Sequence, residues 1–497
     1  MVHLYKSLLN TSRFGLKRGV IEDSLDNSIS NLGLIFKSIL LGEIFRDIVK
    51  KNESNTLGLM LPNTVPTAIV FFAIQYLNKT AAILNFTSGS KNILSCLKTS
   101  KINYVITSKK FIDQSNLDEL IDILKSDTEI IFLEDIKSNV KVHHKIKSLF
   151  NFFKNIIFFK HNNRIDNVAV ILYTSGTESD PKAVGLTHQN LFANRMQVLE
   201  ALKINKYEKF FTCLPFFHSF GLGIGVLLPV LSGCKVYLYP TPLHFEKIPQ
   251  LFEKTKSTVF FSTDTFLKKY LPYVNKSTFK NLNFLIAGAE KVDMSTHEKY
   301  KEYGVQILEG YGVTEASPAI SVNTYDNYKI GSVGRFIPGI EYKVEKLDGY
   351  ENGGLLYIKG KNIINNYLGR AETFDWYNTG DIVNVDKDGY LFIVGRLKRF
   401  AKIAGEMISL SQVEEFPKKI WPENNSAICS IRNSKKGESL VLLTDNKSAN
   451  LKTVIDSMRS AGLSNLYIPK ELKIIDEFPI LGSGKLDLKK LQEIAES

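Results

Sequence analysis

Val168-Ala-Val-Ile-Leu-Tyr-Thr-Ser-Gly-Thr-Glu-Ser-Asp-Pro-Lys182 is an apolar run that breaks abruptly into a loop of hydroxyls, a glycine and a lysine. Consecutive apolar residues bounded by turn formers read as a strand buried on both faces, the kind found in parallel sheets covered by helices. The loop offers backbone N–H groups, several hydroxyls and one ammonium, which together suit a polyphosphate. It is not a Walker A loop, because the residue five after Gly176 is Pro181 rather than glycine. Taken by itself such a loop is most often only a turn.

Working outward, short β-like runs are separated by helical lengths at Leu57 to Leu61, Thr80 to Asn85, Tyr104 to Thr107 and Ile130 to Leu133. The pattern continues at Lys235 to Tyr239, Val259 to Ser262 and Phe284 to Ala287. Alternation of this kind predicts an α/β fold with largely parallel sheets. Between Leu34 and Lys51, apolar residues at 35, 36, 39, 40, 44, 48 and 49 have helical spacing, which predicts a helix on the outside of that domain. Its sharper alternative, a helix on a membrane surface, is weakened by Glu43 and Asp47. After about residue 330 the texture changes to closely spaced strands and Gly/Asp turns, such as Asp386-Lys387-Asp388-Gly389. The charged run Gly395-Arg396-Leu397-Lys398-Arg399 then reads as a hinge. The expected organisation is a large domain over 1–396, its β-rich subdomain at about 330–396, and a small α+β domain over 397–497.

The chain has 497 residues, 44% hydrophobic and 23% charged, the balance of a folded, enzyme-sized protein rather than a disordered, fibrous or polytopic membrane one. Cys96, Cys213, Cys234 and Cys429 are far apart with no Cys-x-x-Cys pair, so they read as reduced core residues. A net charge of +12 admits an acidic partner, yet only 11 of the 63 basic residues are arginine, which argues against nucleic acid. The first twenty residues show no secretory pattern, so a cytoplasmic location is expected. Phe211 to Cys234 carries no formal charge apart from His218, but its prolines, glycines and His218-Ser219 pair predict a loop leading into a buried helix rather than a membrane span.

Further motifs follow the phosphate-type loop in a fixed order: Gly288-Ala289-Glu290, Glu309-Gly-Tyr-Gly-Val-Thr-Glu315, Tyr377-Asn-Thr-Gly-Asp381, Gly395-Arg396 and Gly482-Ser-Gly-Lys485. Together they resemble the core motifs of the adenylate-forming enzymes, which include acyl-CoA synthetases, peptide-synthetase adenylation domains and firefly luciferase. Five motifs in one order across nearly the whole chain are far more specific than any one alone. Leu214-Pro-Phe-Phe-His-Ser-Phe-Gly221, Arg396 to Met407 and Pro479 to Lys485 are most similar to the acyl-[acyl carrier protein] synthetase branch, the portion found in bacterial 2-acylglycerophosphoethanolamine acyltransferase/acyl-ACP synthetases.

That resemblance implies the adenylate-forming fold, with an AMP-binding domain over 1–396 and a mobile domain over 397–497. It also implies a two-step ligase chemistry in which a fatty acid is activated with ATP and Mg²⁺ and passed to the thiol of acyl carrier protein, with CoA as the alternative acceptor. Thr174, Ser175, Gly176, Thr177 and Lys182 would hold the β- and γ-phosphates. Glu315 would hold the metal, and Thr314 would lie beside the α-phosphate. Tyr311 and Gly312 would meet adenine, Gly288, Ala289 and Glu290 would line its pocket, and Asp381 and Arg396 would fix the ribose. Lys485 would be the adenylation lysine, His218 the gate between acyl and nucleotide pockets, Lys398 the hinge and Lys402 the lysine of the thiol step. Phe220 to Leu231 would wall an acyl tunnel, its glycines leaving space for methylenes. Contact with the inner face of the cell membrane is a further expectation.

Two residues depart from the family loop: Ser179 and Ala183 stand where glycines are usual. If either backbone needs φ > 0 the cost is of order 1 kcal/mol. This keeps open a degenerate adenylate-binding protein without turnover. The pair His161 and Asp166 has the spacing of a glycerolipid acyltransferase motif, but no phosphate-binding motif accompanies it.

Overall fold

The computed structural model describes residues 3–49, 55–138, 140–157, 165–174, 181–348, 350–433, 437–479 and 486–497. They divide into two compact units. One draws on Met1–Ser175, Asp180–Ile340 and Lys359–Asp375, the other on Glu341–Ile358 and Trp376–Ser497. The expected boundary after residue 396 therefore lies inside the second unit, which also takes in most of the β-rich stretch.

Two sheets form the first unit. The smaller joins β3 (Thr56–Leu59), β4 (Thr80–Ile83), β5 (Tyr104–Thr107), β6 (Glu129–Phe132), β7 (Val168–Thr174) and β8 (Lys182–Thr187) in the order β6-β5-β3-β4-β7-β8. Its pairings are parallel except for the final β7–β8 hairpin. The larger sheet combines β1 (Gly19–Asp23) and β2 (Ser28–Ser30) with β9 (Lys209–Thr212), β10 (Lys235–Leu238), β11 (Val259–Ser262), β12 (Phe284–Ala287) and β13 (Ile307–Gly312). Its last two strands are β14 (Ala319–Val322) and β15 (Arg335–Phe336). Its five central strands, in the order β13-β12-β11-β9-β10, are parallel, as is β10 with β1. These central strands are apolar and buried, with Phe210, Phe211, Val236, Val259 and Leu285 no more than marginally exposed. The expected α/β class thus follows from the runs read in the sequence, and Tyr104–Thr107, Val259–Ser262 and Phe284–Ala287 have the expected limits. β1, β9 and β13 lie beyond the expected runs, since charged or glycine residues break their apolar pattern.

The helix expected from Leu34 spans Asn31–Ile48, begins with Ser30 accepting from the Gly33 N–H, and buries Leu34, Ile35, Ile39, Ile44 and Phe45. Burial of that face removes its membrane-surface alternative. The uncharged stretch after Phe211 begins in β9 and then enters a wide-turn helix, Phe220–Leu227, continued by Leu228–Ser232. No helix among the described residues is long and apolar enough to cross a membrane.

In the second unit β16 (Glu341–Leu347), β17 (Tyr350–Lys359), β18 (Tyr377–Val385) and β19 (Leu391–Arg396) form a sheet in that order. A second sheet has β20 (Phe400–Ile403), β21 (Glu406–Ser409), β22 (Ser426–Asn433), β23 (Gly437–Thr444) and β24 (Glu471–Ile474). Helices Leu410–Ile420, Leu451–Ser460 and Leu488–Glu496 accompany it, and their residues Val413, Val454, Met458 and Leu491 are buried, giving the α+β texture expected there.

Candidate active site

Ligands in open parallel sheets collect at the carboxyl ends of the strands. In the first unit β9 ends in the turn Cys213-Leu214-Pro215, β12 in Gly288-Ala289-Glu290 and β13 in Tyr311-Gly312. Parallel register of β12 with β13 sets Ala287 beside Glu309, so the two motifs are neighbours by pairing. Gly288 is packed closely, since a Cβ there would lie 3.2 Å from the Gly310 carbonyl oxygen and 3.6 Å from the Phe220 ring. Ala289 has φ +67, a left-handed conformation costing roughly 1–2 kcal/mol for a residue with a side chain. Such strain is retained mainly where the surrounding structure imposes it. The Glu290 carboxylate accepts from the Thr265 N–H at 3.0 Å and fixes the far end of the turn.

The β7–β8 hairpin delivers the two ends of the serine- and threonine-rich loop. Thr174 pairs with Lys182 and Tyr173 with Ala183. Ser175, Gly176, Thr177 and Ser179 lie outside the described residues. Ala183 sits within β8, carries no positive φ, and accepts from the Leu368 N–H at 3.0 Å. The cost anticipated for alanine at that position does not arise.

Lys182 meets Glu315 through a residue the sequence reading missed. The Tyr367 hydroxyl donates to Glu315 Oε1 at 2.8 Å, and the Lys182 ammonium lies 4.9 Å from the centroid of the same ring. The Ile364 N–H donates to the Glu315 carbonyl at 3.0 Å, and the Glu315 side chain is buried. Asn362 donates to the Ala316 carbonyl at 2.7 Å, tying the segment from Thr314 to Ala316 to the same 359–375 stretch. The Thr314 hydroxyl lies 3.3 Å from that of Ser219. A carboxylate and an ammonium on one tyrosine, with the Thr314 hydroxyl on the residue before that carboxylate, fit a polyphosphate held with a hard cation, which takes oxygen ligands and keeps waters. Tyr367 escaped notice because it stands in Asn365-Asn366-Tyr367-Leu368-Gly369, whose composition signals only a turn.

Asn63, buried after β3, holds the turn before His218: it donates to the Leu214 carbonyl at 2.8 Å and accepts from the Phe216 N–H at 3.1 Å. His218 is exposed, its ring 4.9 Å from that of Phe217. The glycines behind it do not leave room for methylenes, contrary to expectation. A Cβ on Gly221 would fall 2.2 Å from the Pro215 carbonyl oxygen, and one on Gly225 would fall 2.7 Å from Thr212 Cγ2. They allow backbone to approach backbone and side chain, and that approach fills the space.

The remaining expected residues belong to the second unit. Asp381 and Arg396 face each other across β18 and β19, with Arg396 Nε 2.9 Å from Asp381 Oδ1. Asp381 is buried, whereas the guanidinium side is largely exposed. Lys398 is exposed in the short turn Leu397–Arg399, and Lys402 is exposed on β20. Lys485 lies outside the described residues, as does His161 of the acyltransferase-like pair.

A family model described as AMP-binding enzyme matches residues 47–368. A 2-succinylbenzoate–CoA ligase of Listeria innocua is 25% identical over 464 residues, covering 91% of each chain. A long-chain-fatty-acid–CoA ligase of Escherichia coli is 28% identical over 352 residues, 66% of this chain and 62% of that one. The o-succinylbenzoate coenzyme A synthetase of Bacillus subtilis, solved with ATP and magnesium ion, superposes with a TM-score of 0.83 at 20% identity, over 98% of this chain and 99% of that one. ATP-bound MatB of Rhodopseudomonas palustris gives a TM-score of 0.81 at 19% identity over 99% of both. With its motifs in order and its fold matched from end to end, this chain belongs to the AMP-binding enzyme family and is an adenylate-forming acyl ligase.

Proposed function

We propose that the protein activates a fatty acid as its acyl-adenylate and transfers the acyl group to the phosphopantetheine thiol of acyl carrier protein. The observation that carries the activation half is the Glu315–Tyr367–Lys182 arrangement at the ends of the β7–β8 loop. A carboxylate oxygen of the substrate attacks the α-phosphorus of ATP and pyrophosphate leaves; the thiol sulfur then attacks the acyl carbonyl and AMP leaves. Both steps gather negative charge, so fixed positive groups aimed at it are the expected source of rate. Glu315 would hold Mg²⁺, which neutralises phosphate charge when bound, and Lys182 with Thr174 to Thr177 would hold the β- and γ-phosphates. Thr314 would face the α-phosphate, Tyr311 and Gly312 the adenine, Gly288 to Glu290 the wall of its pocket, and Asp381 and Arg396 the ribose. Lys485 would act in adenylation and Lys402 in thiol transfer. His218 would gate the acyl pocket, and residues 397–497 would turn about Lys398 between the steps.

The fatty acid is favoured by the resemblance of the Leu214 to Gly221 and Arg396 to Met407 motifs and by the relative that acts on long-chain fatty acids. Acyl carrier protein is favoured by the same motifs and by a net charge of +12, since an acidic partner meets a basic chain faster and the gain is screened beyond ~8 Å at physiological salt. A second reading, transfer to CoA, is favoured by relatives named as CoA ligases. Thioester formation measured with acyl carrier protein and with CoA across a salt series separates the two. Acyl carrier protein should be preferred at low salt and lose that preference as salt rises; preference for CoA, or transfer indifferent to salt, would move the protein to the acyl-CoA synthetases. A cytoplasmic location with peripheral contact at the membrane, where fatty acids partition, belongs to the same reading.

A further inference from the structure

Helix Val142–Ile157 packs on helix Asn31–Ile48 with one face only. Its His144, Ser148 and Phe152 are buried, with the Phe152 ring edge-on to Phe36 at 6.0 Å. Asn151 donates to Glu43 Oε1 at 3.0 Å, and the Lys147 ammonium lies 2.7 Å from Glu43 Oε2. His144 Nδ1 accepts from the Lys141 N–H at 3.2 Å, so the ring proton sits on Nε2, 3.1 Å from Asp47 Oδ2. This histidine clamps the start of the helix, with His143 and Asp47 close to it.

The opposite face is apolar and open. Val142, Ile146, Leu149, Phe150 and Phe153 are between 51% and 72% exposed. At about 100° per residue they share a stripe roughly 100° wide, centred opposite the buried face. Exposed Lys145 borders the stripe on one side and exposed Lys154 on the other, and the helix has no acidic residue. Soluble proteins rarely leave five such large side chains in one row. We infer that this helix docks the protein onto an anionic lipid surface, the phenylalanines entering the headgroup region while the lysines meet lipid phosphates. A stripe flanked by cation on both edges fits that surface and would be repelled by a second copy of the same basic face. The inference gives a place to the membrane contact of the proposed function, but it rests on this face alone and is tested without turnover.

The full chain is sedimented with vesicles of phosphatidylcholine alone and of an equimolar mixture with phosphatidylglycerol. Binding should appear on the mixed vesicles, fall about tenfold or more in Phe150→Ser/Phe153→Ser, and fall similarly in Lys145→Glu/Lys154→Glu or at high salt. Tyr207→Ser, at an exposed aromatic elsewhere, should bind as the unaltered protein does. Thermal melting of each variant should be unchanged, since these side chains touch water. Absence of binding to the mixed vesicles, equal binding by the two Phe→Ser substitutions, or a dimer in sedimentation velocity that these substitutions dissociate would overturn the inference. Fatty-acid activation measured in detergent-free solution reports on the ligase reading separately, since the variants leave the strand-end residues untouched.

Discussion

The Tyr367 hydroxyl donates to Glu315 Oε1 at 2.8 Å while its ring lies 4.9 Å from the Lys182 ammonium, so one side chain orients both the acid and the cation of the site. Tyr367→Phe removes the donor and keeps the ring. A hydrogen bond to a carboxylate is worth ~1.5–3 kcal/mol, so adenylation efficiency should drop roughly ten- to a hundredfold, with the apparent affinity for Mg-ATP carrying part of the loss. Tyr367→Ala should lose more, because the lysine then has no ring to rest on. Steady-state adenylation against Mg-ATP checks this, and equal behaviour of Phe and wild type would remove Tyr367 from the site.

The two half-reactions should separate by position in the chain. Proline fixes φ, so Lys398→Pro in the turn Leu397–Arg399 should retain acyl-AMP formation and lose thioester formation. Lys485→Ala should do the reverse, failing to make acyl-AMP but still transferring supplied acyl-AMP. Half-reaction assays decide this; parallel losses in both variants would contradict a division of labour.

Burial of His188, then the neighbouring His3, lowers its pKa from 6.5 to about 3. Its ring accepts from the Leu4 N–H, and its centroid lies 3.6 Å from that of the His3 ring, the two planes tilted by 39°. A folded pKa below the unfolded one means the unfolded chain binds the proton more readily. The neutral form therefore stabilises the fold fully above pH 6.5, and this contribution is lost as pH falls from 6.5 toward about 3. The loss should run at up to ~1.4 kcal/mol per pH unit. Urea unfolding at pH 7 and pH 5 should show the difference, and His188→Gln should flatten it.

Much of this was legible in the sequence for a physical reason. Strands such as Val259–Ser262 are apolar on both faces because helices cover parallel sheets, so pattern alone marks them. The strand-end motifs are equally visible, because turns at those ends demand glycine and small residues. Tyr367 was not legible, since its partners lie 52 and 185 residues away in sequence and only tertiary packing joins them. The crowding at Gly221 and Gly225 was hidden likewise: glycine in a sequence signals permissiveness, and only coordinates reveal that a carbonyl or a threonine fills the place. The open face of Val142–Ile157 shows the same limit, because amphipathic spacing looks alike whether the apolar stripe meets core or water.

All four cysteines are buried thiols, none of them in a disulfide. Burial pushes the Cys213 and Cys234 thiols up to about 12 and that of Cys429 to about 11. Only thiolate reacts, so iodoacetamide at neutral pH should leave the folded protein unlabelled and label it fully in denaturant. Rapid native labelling at any of these three would contradict their burial.

ATP–pyrophosphate exchange measures, by itself, the proposed activation of a fatty acid with ATP by the strand-end groups of the first unit. With Mg²⁺ present, exchange should depend on added fatty acid, rise with chain length until the pocket is filled, and collapse in Glu315→Ala. Exchange no greater with fatty acid than without it, in protein that still binds ATP, would mean a nucleotide-binding protein without turnover and would contradict the account.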